Sequence, residues 1–297
     1  MKTVDNASRP KAGKGQVLVE VYAAAANPFD WKVRQGLMQE FIALKFPATL
    51  GGDVAGTVAE VGEAVSGFKT GQAVYGMANA VGGQGSFAEF TPVKAAQLVA
   101  KPKTVDFAHA AALVLAGISA YQALVDHINL QTGQKILIHG GAGGIGSLAI
   151  QIAKNIGAYV ATTAAGGEAD YLKSLGADGV IDYKTQDFSS LLKDYDAVFD
   201  TVGGETNGKS YQILKTDGRL VSMVQPADEK LVERHGIKYI QQSSHVTTER
   251  LTKIAELTDS GQLQVNVDKA FPLSQATEAL EYLKTGHPRG KVVIQVK

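Results

Sequence analysis

Cysteine is absent from this chain of 297 residues. Disulfide bridges, thiolate metal sites and a cysteine nucleophile are therefore excluded, and the composition suits a reducing compartment such as the cytoplasm. Net charge is absent as well, because 29 lysines and arginines balance 29 aspartates and glutamates without any dense basic run. We expect no nucleic acid partner, since nucleic acid attracts proteins that concentrate positive charge.

Charged residues are also missing from the stretch 107–125, and the first fifteen residues lack an apolar segment. Uncharged stretches are a feature of membrane spans, but alanine dominates this one, and His109, Ser119 and Gln122 interrupt it. A span needs about 20 strongly apolar residues, so we predict a buried core helix and no membrane partner. The polar start of the chain predicts no secretory signal.

Hydrophobic periodicity predicts a β-rich region first. It indicates short strands separated by glycines, as in a partly closed β-barrel. These strands are expected at 16–23, 72–75 and 86–91, with a glycine-rich turn and a strand over 49–61.

The pattern changes near residue 106. A helix is expected over 107–130, and strands such as Lys135–His139 then alternate with helices. This alternation is typical of a doubly wound parallel sheet, so the predicted fold class is α/β. A last strand over 291–296 is expected to rejoin the first β region. We therefore predict two domains, one of residues 1–106 completed by 263–297, and one of residues 107–262.

A glycine-rich turn stands at the start of this second region. Gly141, Gly143 and Gly146 fit the pattern G-x-G-x-x-G between the strand Lys135–His139 and a helix predicted over 145–157. In dinucleotide-binding folds, the first glycine permits a tight turn, the second lets a pyrophosphate approach, and the third lets helix and strand pack closely. The turn therefore predicts a dinucleotide cofactor.

The choice of dinucleotide depends on the end of the next strand, predicted at 158–163. NAD-binding proteins place an acid there for the ribose hydroxyls, but this chain continues with Ala164, Ala165 and Gly166. The missing carboxylate removes repulsion against a 2′-phosphate and favours NADPH over NADH, with Thr162 or Thr163 as hydrogen-bond donors. No lysine or arginine follows directly, so the phosphate charge must be met from elsewhere.

Several motifs together resemble the medium-chain dehydrogenase/reductase superfamily, in its zinc-independent quinone oxidoreductase (zeta-crystallin-like) branch. Their order and combination extend from about Gly15 to Lys297. The motifs are AAAANPFDWKVRQG (23–36), LGGDVAGTVAEVG (50–62), AALVLAGISAYQAL (111–124), HGGAGGIG (139–146), VIDY (180–183), DTVGG (200–204) and RGKVVI (289–294). The resemblance implies a Rossmann domain plus a GroES-like barrel, and a homodimer.

The resemblance also implies positions for the cofactor. The pyrophosphate is expected against Ala142, Gly143, Gly144, Ile145 and Gly146. The adenosine ribose is expected between Thr163 and Tyr183, and the nicotinamide against Ser119, Val202 and Gly203. Tyr183 matches a tyrosine that touches the 2′-phosphate in relatives, but a lysine that often helps there is absent. Arg289 and Lys291 of the last motif are expected near the cofactor, and Arg289 is a candidate for the missing charge.

The substrate side is implied in the same way, with Asn27, Trp31 and Lys32 as its wall and as candidate catalytic residues. Three acids have a simpler alternative. Asp30 would cap a helix that begins at Trp31, Asp53 would hold a turn, and Asp200 would bond backbone amides below its loop.

No metal is expected. The resemblance allows a comparison with zinc alcohol dehydrogenases. Those enzymes carry a cysteine in the motif matching AAAANPFD and a His-Glu pair in the motif matching LGGD. Here cysteine is absent, and the histidine position holds Gly52, beside Asp53. Zinc requires Cys, His or carboxylate ligands in tetrahedral geometry, so catalytic zinc is not predicted.

Without a metal, the predicted reaction is hydride transfer from NADPH to a quinone or an α,β-unsaturated carbonyl. Such substrates accept hydride at carbon and spread the charge onto oxygen, where Asn27, Lys32 or the cofactor's ribose hydroxyl would donate a hydrogen bond. Two alternatives stay open: a non-catalytic protein that binds or senses NADPH, and an enoyl-thioester reductase. The second would need a basic patch for its carrier phosphate, and none is evident.

Overall fold

The computed structural model describes Met1, Val4 and residues 7–297. Four residues lie outside the described part, namely Lys2, Thr3, Asp5 and Asn6. They belong to the predicted first domain and to the polar start of the chain, for which no secretory signal is predicted. The strands are β1 Gln16–Ala26, β2 Asp53–Val61, β3 Ala73–Met77, β4 Phe90–Lys94, β5 Leu98–Ala100, β6 Lys135–His139, β7 Tyr159–Ala164, β8 Gly179–Asp182, β9 Tyr195–Asp200, β10 Leu214–Ser222, β11 Lys238–Gln241, β12 Val267–Pro272 and β13 Lys291–Gln295. The α-helices are α1 Pro28–Arg34, α2 Phe107–Tyr121, α3 Gly144–Ile156, α4 Ala169–Ser174, α5 Phe188–Leu191, α6 Glu205–Ser210, α7 Glu229–His235, α8 Thr248–Asp259 and α9 Ala276–Thr285.

The chain divides into two compact units. The first unit contains residues 1–118 and 246–297, and the second unit contains residues 119–245. The first division falls inside α2, and both divisions lie within the predicted second domain. The predicted domain boundaries, 1–106 with 263–297 and 107–262, stay a prediction.

The sheet of the first unit is organised around β1. Its strand order is β12-β13-β1-β2-β3-β5, and β4 pairs with the first half of β1. The second half of β1 pairs antiparallel with β13, which confirms that the last strand rejoins the first β region. Valines 17, 19 and 21 of β1 pack into one apolar cluster, and Ala24 and Ala26 pack into another with Phe271, Leu280 and Ile294. Apolar side chains on both faces explain why β1 is central.

The sheet of the second unit confirms the predicted doubly wound arrangement. Among the described residues it has six parallel strands in the order β11-β10-β9-β6-β7-β8. The order reverses at β6, which has β7 on one side and β9 on the other. Ligands of open α/β sheets bind at the carboxyl ends of the strands where the order reverses. That place is the end of β6, at His139, where the glycine-rich turn begins.

Three predictions from local pattern were wrong in detail. The strand expected over 86–91 begins later, at Phe90, as β4. Ser86 and Phe87 belong to a loop, because their amides donate to the carbonyls of Gly51 and Leu50. The helix expected to begin at Trp31 begins at Pro28, with Asn27 rather than Asp30 at its N-cap. The helix expected over 107–130 changes after α2 into a π-helical turn over 122–127.

One helical stretch within the described part of the chain, 107–127, is long and apolar enough to cross a membrane by length and composition. Most of it, 72% of its most apolar window, is buried inside the protein. Burial of this extent is typical of a core helix, which agrees with the prediction made from its alanine content.

Candidate active site

The glycine-rich turn of the second unit joins β6 to α3. The amide of Gly141 donates to the carbonyl of Thr163 at 3.0 Å, which fixes the turn against the end of β7. A Cβ at Gly141 would lie 2.1 Å from Thr162 Oγ1, and one at Gly146 would lie 2.2 Å from the carbonyl oxygen of Gly140. Neither position has room for a side chain, so both glycines are required by packing.

Gly143 differs from these two glycines. The atom nearest to an ideal Cβ at Gly143 is the carbonyl oxygen of Gly140, at 3.4 Å, so the protein itself leaves this space free. Gly143 is the N-cap of α3, and no side chain caps the helix there. The first amides of α3 are therefore left for a ligand, and the dipole of a helix N-terminus favours an anion. Ala142, Gly143, Gly144 and Ile145 are half-buried, whereas Gly146 is buried.

The two threonines of β7 are occupied inside the protein. Thr162 Oγ1 donates to the carbonyl of Ile138 at 2.7 Å. Thr163 is 4% exposed, and its hydroxyl bonds His139 Nδ1 at 3.0 Å and accepts from the amide of Gly140 at 3.4 Å. Thr163 thus supports the glycine-rich turn, while Tyr183, the other residue predicted at the adenosine ribose, is 55% exposed.

His139 is fully buried at the end of β6. Its Nε2 lies 2.9 Å from Ser210 Oγ, and its ring packs edge-on against Phe188. Burial lowers the pKa of His139 to about 4, and the nearby Asp200 carboxylate only partly opposes this. The imidazole is therefore neutral at pH 7 and holds the turn in place by hydrogen bonds.

The loop after β9 is shaped by Asp200. One carboxylate oxygen accepts from the amides of Val202 and Gly203, both at 2.9 Å. The other oxygen accepts from Asn207 at 2.7 Å and from Ser222 at 3.2 Å. Asp200 thus bonds backbone amides beneath its loop, as the simpler alternative from the sequence holds, and leaves Val202 54% exposed.

Ser119 is the remaining predicted nicotinamide contact of the second unit. It is fully buried, and its hydroxyl lies 2.8 Å from Ser244 Oγ. Its carbonyl accepts from the side-chain amide of Gln242 at 2.9 Å. These bonds attach the end of α2 to the segment that follows β11.

The first unit contains a buried polar centre built from Asn27, Asp30, Asp53 and Lys291. Asn27 Nδ2 donates to Asp53 at 2.9 Å, and Lys291 Nζ donates to Asn27 Oδ1. Lys291 Nζ also lies 3.4 Å from Asp53 Oδ2. All four residues are at most 6% exposed. Sequence reasoning named Asn27 and Lys291 separately, because only the pairing of β1 with β2 and β13 brings these positions together.

The two carboxyls of this centre have unusual acidities. Burial, with a smaller contribution from the Asp53 carboxylate, raises the pKa of Asp30 to about 7. Burial also raises the pKa of Asp53, while Lys291 opposes that rise. A buried charge is tolerated only when it is paired and hydrogen-bonded, and the Lys291–Asp53 pair meets this condition.

Helix α1 is fixed to this centre by its first residues. The backbone amide of Asn27 donates to Asp30 Oδ2 at 2.8 Å, and Asn27 and Asp30 form a capping box. The Asn27 side-chain amide is held by Asp53 and by the carbonyl of Ala25 at 3.5 Å. Its hydrogens are therefore used within the protein.

Trp31 and Lys32 lie on α1, beyond this centre. Trp31 is half-buried, and the ammonium groups of Lys32 and Lys284 both lie 5.7 Å from its ring centroid. Within the described part of the chain, Lys32 forms no ion pair with a carboxylate. Its charge is therefore available to a ligand.

Arg289 also belongs to the first unit. It is exposed, its amide donates to Asp268 at 3.3 Å, and its carbonyl accepts from Asn266 at 2.6 Å. The predicted cofactor residues therefore divide between the units, with Arg289 and Lys291 in the first and the other ten in the second.

The described residues contain no group of three or more histidines and acids arranged to hold a metal ion. Asp53, which stands beside the position of the zinc-ligand histidine, bonds Asn27 and Lys291.

Comparison with known proteins matches both parts of the chain. A family model described as "Alcohol dehydrogenase GroES-like domain" matches residues 13–103, and one described as "Zinc-binding dehydrogenase" matches residues 175–294. The chain is 38% identical to 2-methylene-furan-3-one reductase of Solanum lycopersicum, over 99% of this chain and 75% of that protein. It is 37% identical to the chloroplastic NADPH-dependent alkenal/one oxidoreductase of Arabidopsis thaliana, with the same shares covered.

A solved structure, the quinone oxidoreductase from Coxiella burnetii, superposes with a TM-score of 0.90 at 34% identity. The match covers 98% of this chain and 93% of that one. The agreement in sequence and fold extends over both units. The chain therefore belongs to the medium-chain dehydrogenase/reductase superfamily, in its quinone oxidoreductase branch.

Proposed function

We propose that this protein transfers a hydride from NADPH to quinones or α,β-unsaturated carbonyl compounds, without zinc. The observation that carries the proposal is the free space at Gly143, directly before the uncapped N-terminus of α3. A phosphate-bearing ligand fits there because the protein supplies amides and a helix dipole but no side chain. Names of relatives that include an NADPH-dependent alkenal/one oxidoreductase and a quinone oxidoreductase support the reaction class.

The residues that would hold the cofactor follow from this geometry. The amides at the start of α3, from Gly144 to Gly146, would bind the pyrophosphate. The loop of Val202 and Gly203, fixed by Asp200 and exposed at Val202, would contact the nicotinamide, whereas Ser119 is fully buried and would support that place from behind. NADPH supplies the hydride when it is bound, and the protein orients the reacting groups and excludes water.

Lys32 is the residue of the first unit that we assign to the substrate oxygen. Reduction of an enone or quinone places negative charge on that oxygen, and a positioned donor stabilises it. Asn27 has its amide hydrogens committed to Asp53 and Ala25, so we assign it the anchoring of α1. Trp31 would provide an apolar wall beside Lys32 for a planar substrate.

The test is loss of NADPH absorbance at 340 nm with a panel of quinones, 2-alkenals and cyclic enones, and with saturated aldehydes as the comparison. We expect turnover with the conjugated substrates only. Tight binding of NADPH without turnover on any substrate would favour a sensor, and turnover confined to enoyl thioesters would favour the other alternative.

Lys32 is tested with Lys284 as a matched control, since both ammonium groups lie at the same distance from the Trp31 ring. We expect K32M to lower kcat/KM for the enone roughly tenfold to a hundredfold, and K284M to leave it unchanged. Equal effects of the two substitutions would contradict the role of Lys32.

The remaining expectations from the sequence, on location and partners, belong to this proposal. We place the protein in the cytoplasm and as a homodimer, with neither nucleic acid nor membrane as a partner. The relative from Arabidopsis is named as chloroplastic, so fractionation of the native cell is the direct test of the location. Sedimentation of the purified chain tests the dimer.

A further inference from the structure

No cation directly follows β7, at the adenosine end of the candidate cofactor site. The residues that follow β7 are Ala165, Gly166 and Gly167, and the hydroxyls of Thr162 and Thr163 are used inside the protein. A 2′-phosphate needs positive charge or several donors, because otherwise its desolvation is not compensated. Candidates for this positive charge and these donors follow the neighbouring strand of the same sheet, β8.

The parallel register of β7 and β8 brings the end of β8 to this place. Ala164 pairs with Asp182, and the amide of Tyr183 donates to the carbonyl of Ala164 at 3.2 Å. A Cβ at Gly166 would lie 2.7 Å from Asp182 Oδ2, so the turn after β7 contacts the end of β8 directly. Tyr183 and Lys184 therefore stand beside the turn where NAD-binding proteins carry their ribose-binding acid.

Lys184 is exposed, and only its backbone is engaged, through an amide that donates to Asp182 Oδ1 at 3.0 Å. Among the described residues, its ammonium has no hydrogen-bond or ion-pair partner, and the Tyr183 hydroxyl has none either. The amides of Gly166 and Gly167 likewise donate to no group of the described chain. One cation, one hydroxyl and two amides thus belong to residues that the strand register brings to the same end of β7 and β8.

We propose that Lys184 is the cation that recognises the 2′-phosphate of NADPH, beside the Tyr183 hydroxyl that the resemblance implies there, and with the Gly166 and Gly167 amides as further donors. This inference rests on the proposed function and names a residue that decides its cofactor preference. Lys184 replaces the lysine that is missing after β7, because it reaches the same surface from the next strand.

Asp182 makes this preference depend on Lys184. Its carboxylate lies against Gly166, where it repels a phosphate and accepts a hydrogen bond from an unmodified ribose hydroxyl. Removing the lysine charge therefore leaves a site that favours NADH. Removing the Asp182 charge, with Lys184 in place, shifts the preference further toward NADPH.

The direct experiment is calorimetric titration with 2′,5′-ADP and with 5′-AMP, which differ only in the 2′-phosphate. We expect K184A to weaken 2′,5′-ADP roughly tenfold, more at low than at high salt, and to leave 5′-AMP within about twofold. K184R should keep most of the affinity. Lys193 is exposed and precedes the start of β9, whereas Lys184 follows the carboxyl end of β8, so K193A is the matched control and should bind as the native protein does.

Steady-state kinetics separate the two proposals. We expect the ratio of kcat/KM for NADPH to that for NADH to fall roughly tenfold in K184A and to rise in D182N. A native protein that oxidises NADPH, with a ratio that K184A leaves unchanged, would overturn the role of Lys184 and keep the proposed function. A native protein that oxidises neither cofactor, yet binds 2′,5′-ADP in a Lys184-dependent way, would overturn the reaction and keep the binding residue.

Discussion

The Lys291 ammonium lies 3.4 Å from the Asp53 carboxylate, and both side chains are almost completely shielded from water. Asp53 begins β2, and Lys291 begins β13. The two strands flank β1, so the pair joins elements that are far apart in the sequence. Asn27, which follows β1, bonds both members and connects them to α1.

The first prediction concerns this ion pair. K291M leaves the Asp53 carboxylate buried without its counter-charge, and we expect a loss of about 3 to 5 kcal/mol in the free energy of unfolding. The double variant D53N/K291M removes both charges and should recover most of that loss. Urea denaturation measures both, with K45M at an exposed position as the control. A double variant no more stable than K291M would contradict this, because the loss of stability would then come from the packing of the lysine stem and not from the unpaired charge.

The second prediction concerns Asp30. Folding raises its pKa from 3.8 to about 7, so the folded state holds the proton more tightly than the unfolded state. The stability that this provides is present at low pH and is lost as the pH rises from 3.8 toward about 7. D30N does not titrate and keeps an oxygen for the Asn27 amide.

We therefore expect the free energy of unfolding of D30N, relative to the native protein, to rise by about 2 kcal/mol between pH 5 and pH 7. Denaturation at several pH values checks this, with E40Q at an exposed position as the control. A difference between D30N and the native protein that stays constant with pH would show that Asp30 does not titrate in this range.

The third prediction has the opposite sign and concerns His139. Folding lowers its pKa from 6.5 to about 4, so the fold favours the neutral imidazole. The stability that this provides is present above pH 6.5 and is lost as the pH falls toward 4. Between pH 6.5 and pH 4, the free energy of unfolding of H139Q should fall by about 2 kcal/mol less than that of the native protein. This holds whatever the stability of H139Q at pH 7. H287Q, at an exposed histidine, provides the control.

The fourth prediction separates two glycines of the phosphate turn. G146A places a methyl group 2.2 Å from a backbone oxygen and should lower Tm by roughly 5 °C or more. G143A adds a methyl group where the protein leaves space, so it should change stability by no more than about 1 kcal/mol. We expect G143A to weaken NADPH binding roughly tenfold or more. Native-like NADPH affinity in a folded G143A protein would place the pyrophosphate elsewhere.

The sequence by itself predicted the features that depend on residues close together in the chain. Alternating strands and helices predicted the parallel sheet, and G-x-G-x-x-G between Lys135–His139 and a helix predicted the phosphate turn. The structure agrees with both predictions, because the hydrophobic period, the length of each segment and the positions of the glycines determine structure within a few residues. Local pattern failed at 86–91, where the backbone bonds a distant loop instead of a neighbouring strand.

Tertiary structure alone decided which side chains meet. Asn27, Asp53 and Lys291 are separated by long stretches of chain, and no motif states that their side chains share a buried site. Asp182 lies against Gly166, with Tyr183 and Lys184 next in the chain, only because β8 pairs with β7 in that register. Thr163 appeared available from its sequence position, yet it is bonded inward to His139. The physical reason is that hydrogen-bond partners and burial depend on strand order and register, which are set by the packing of the whole sheet rather than by any single segment.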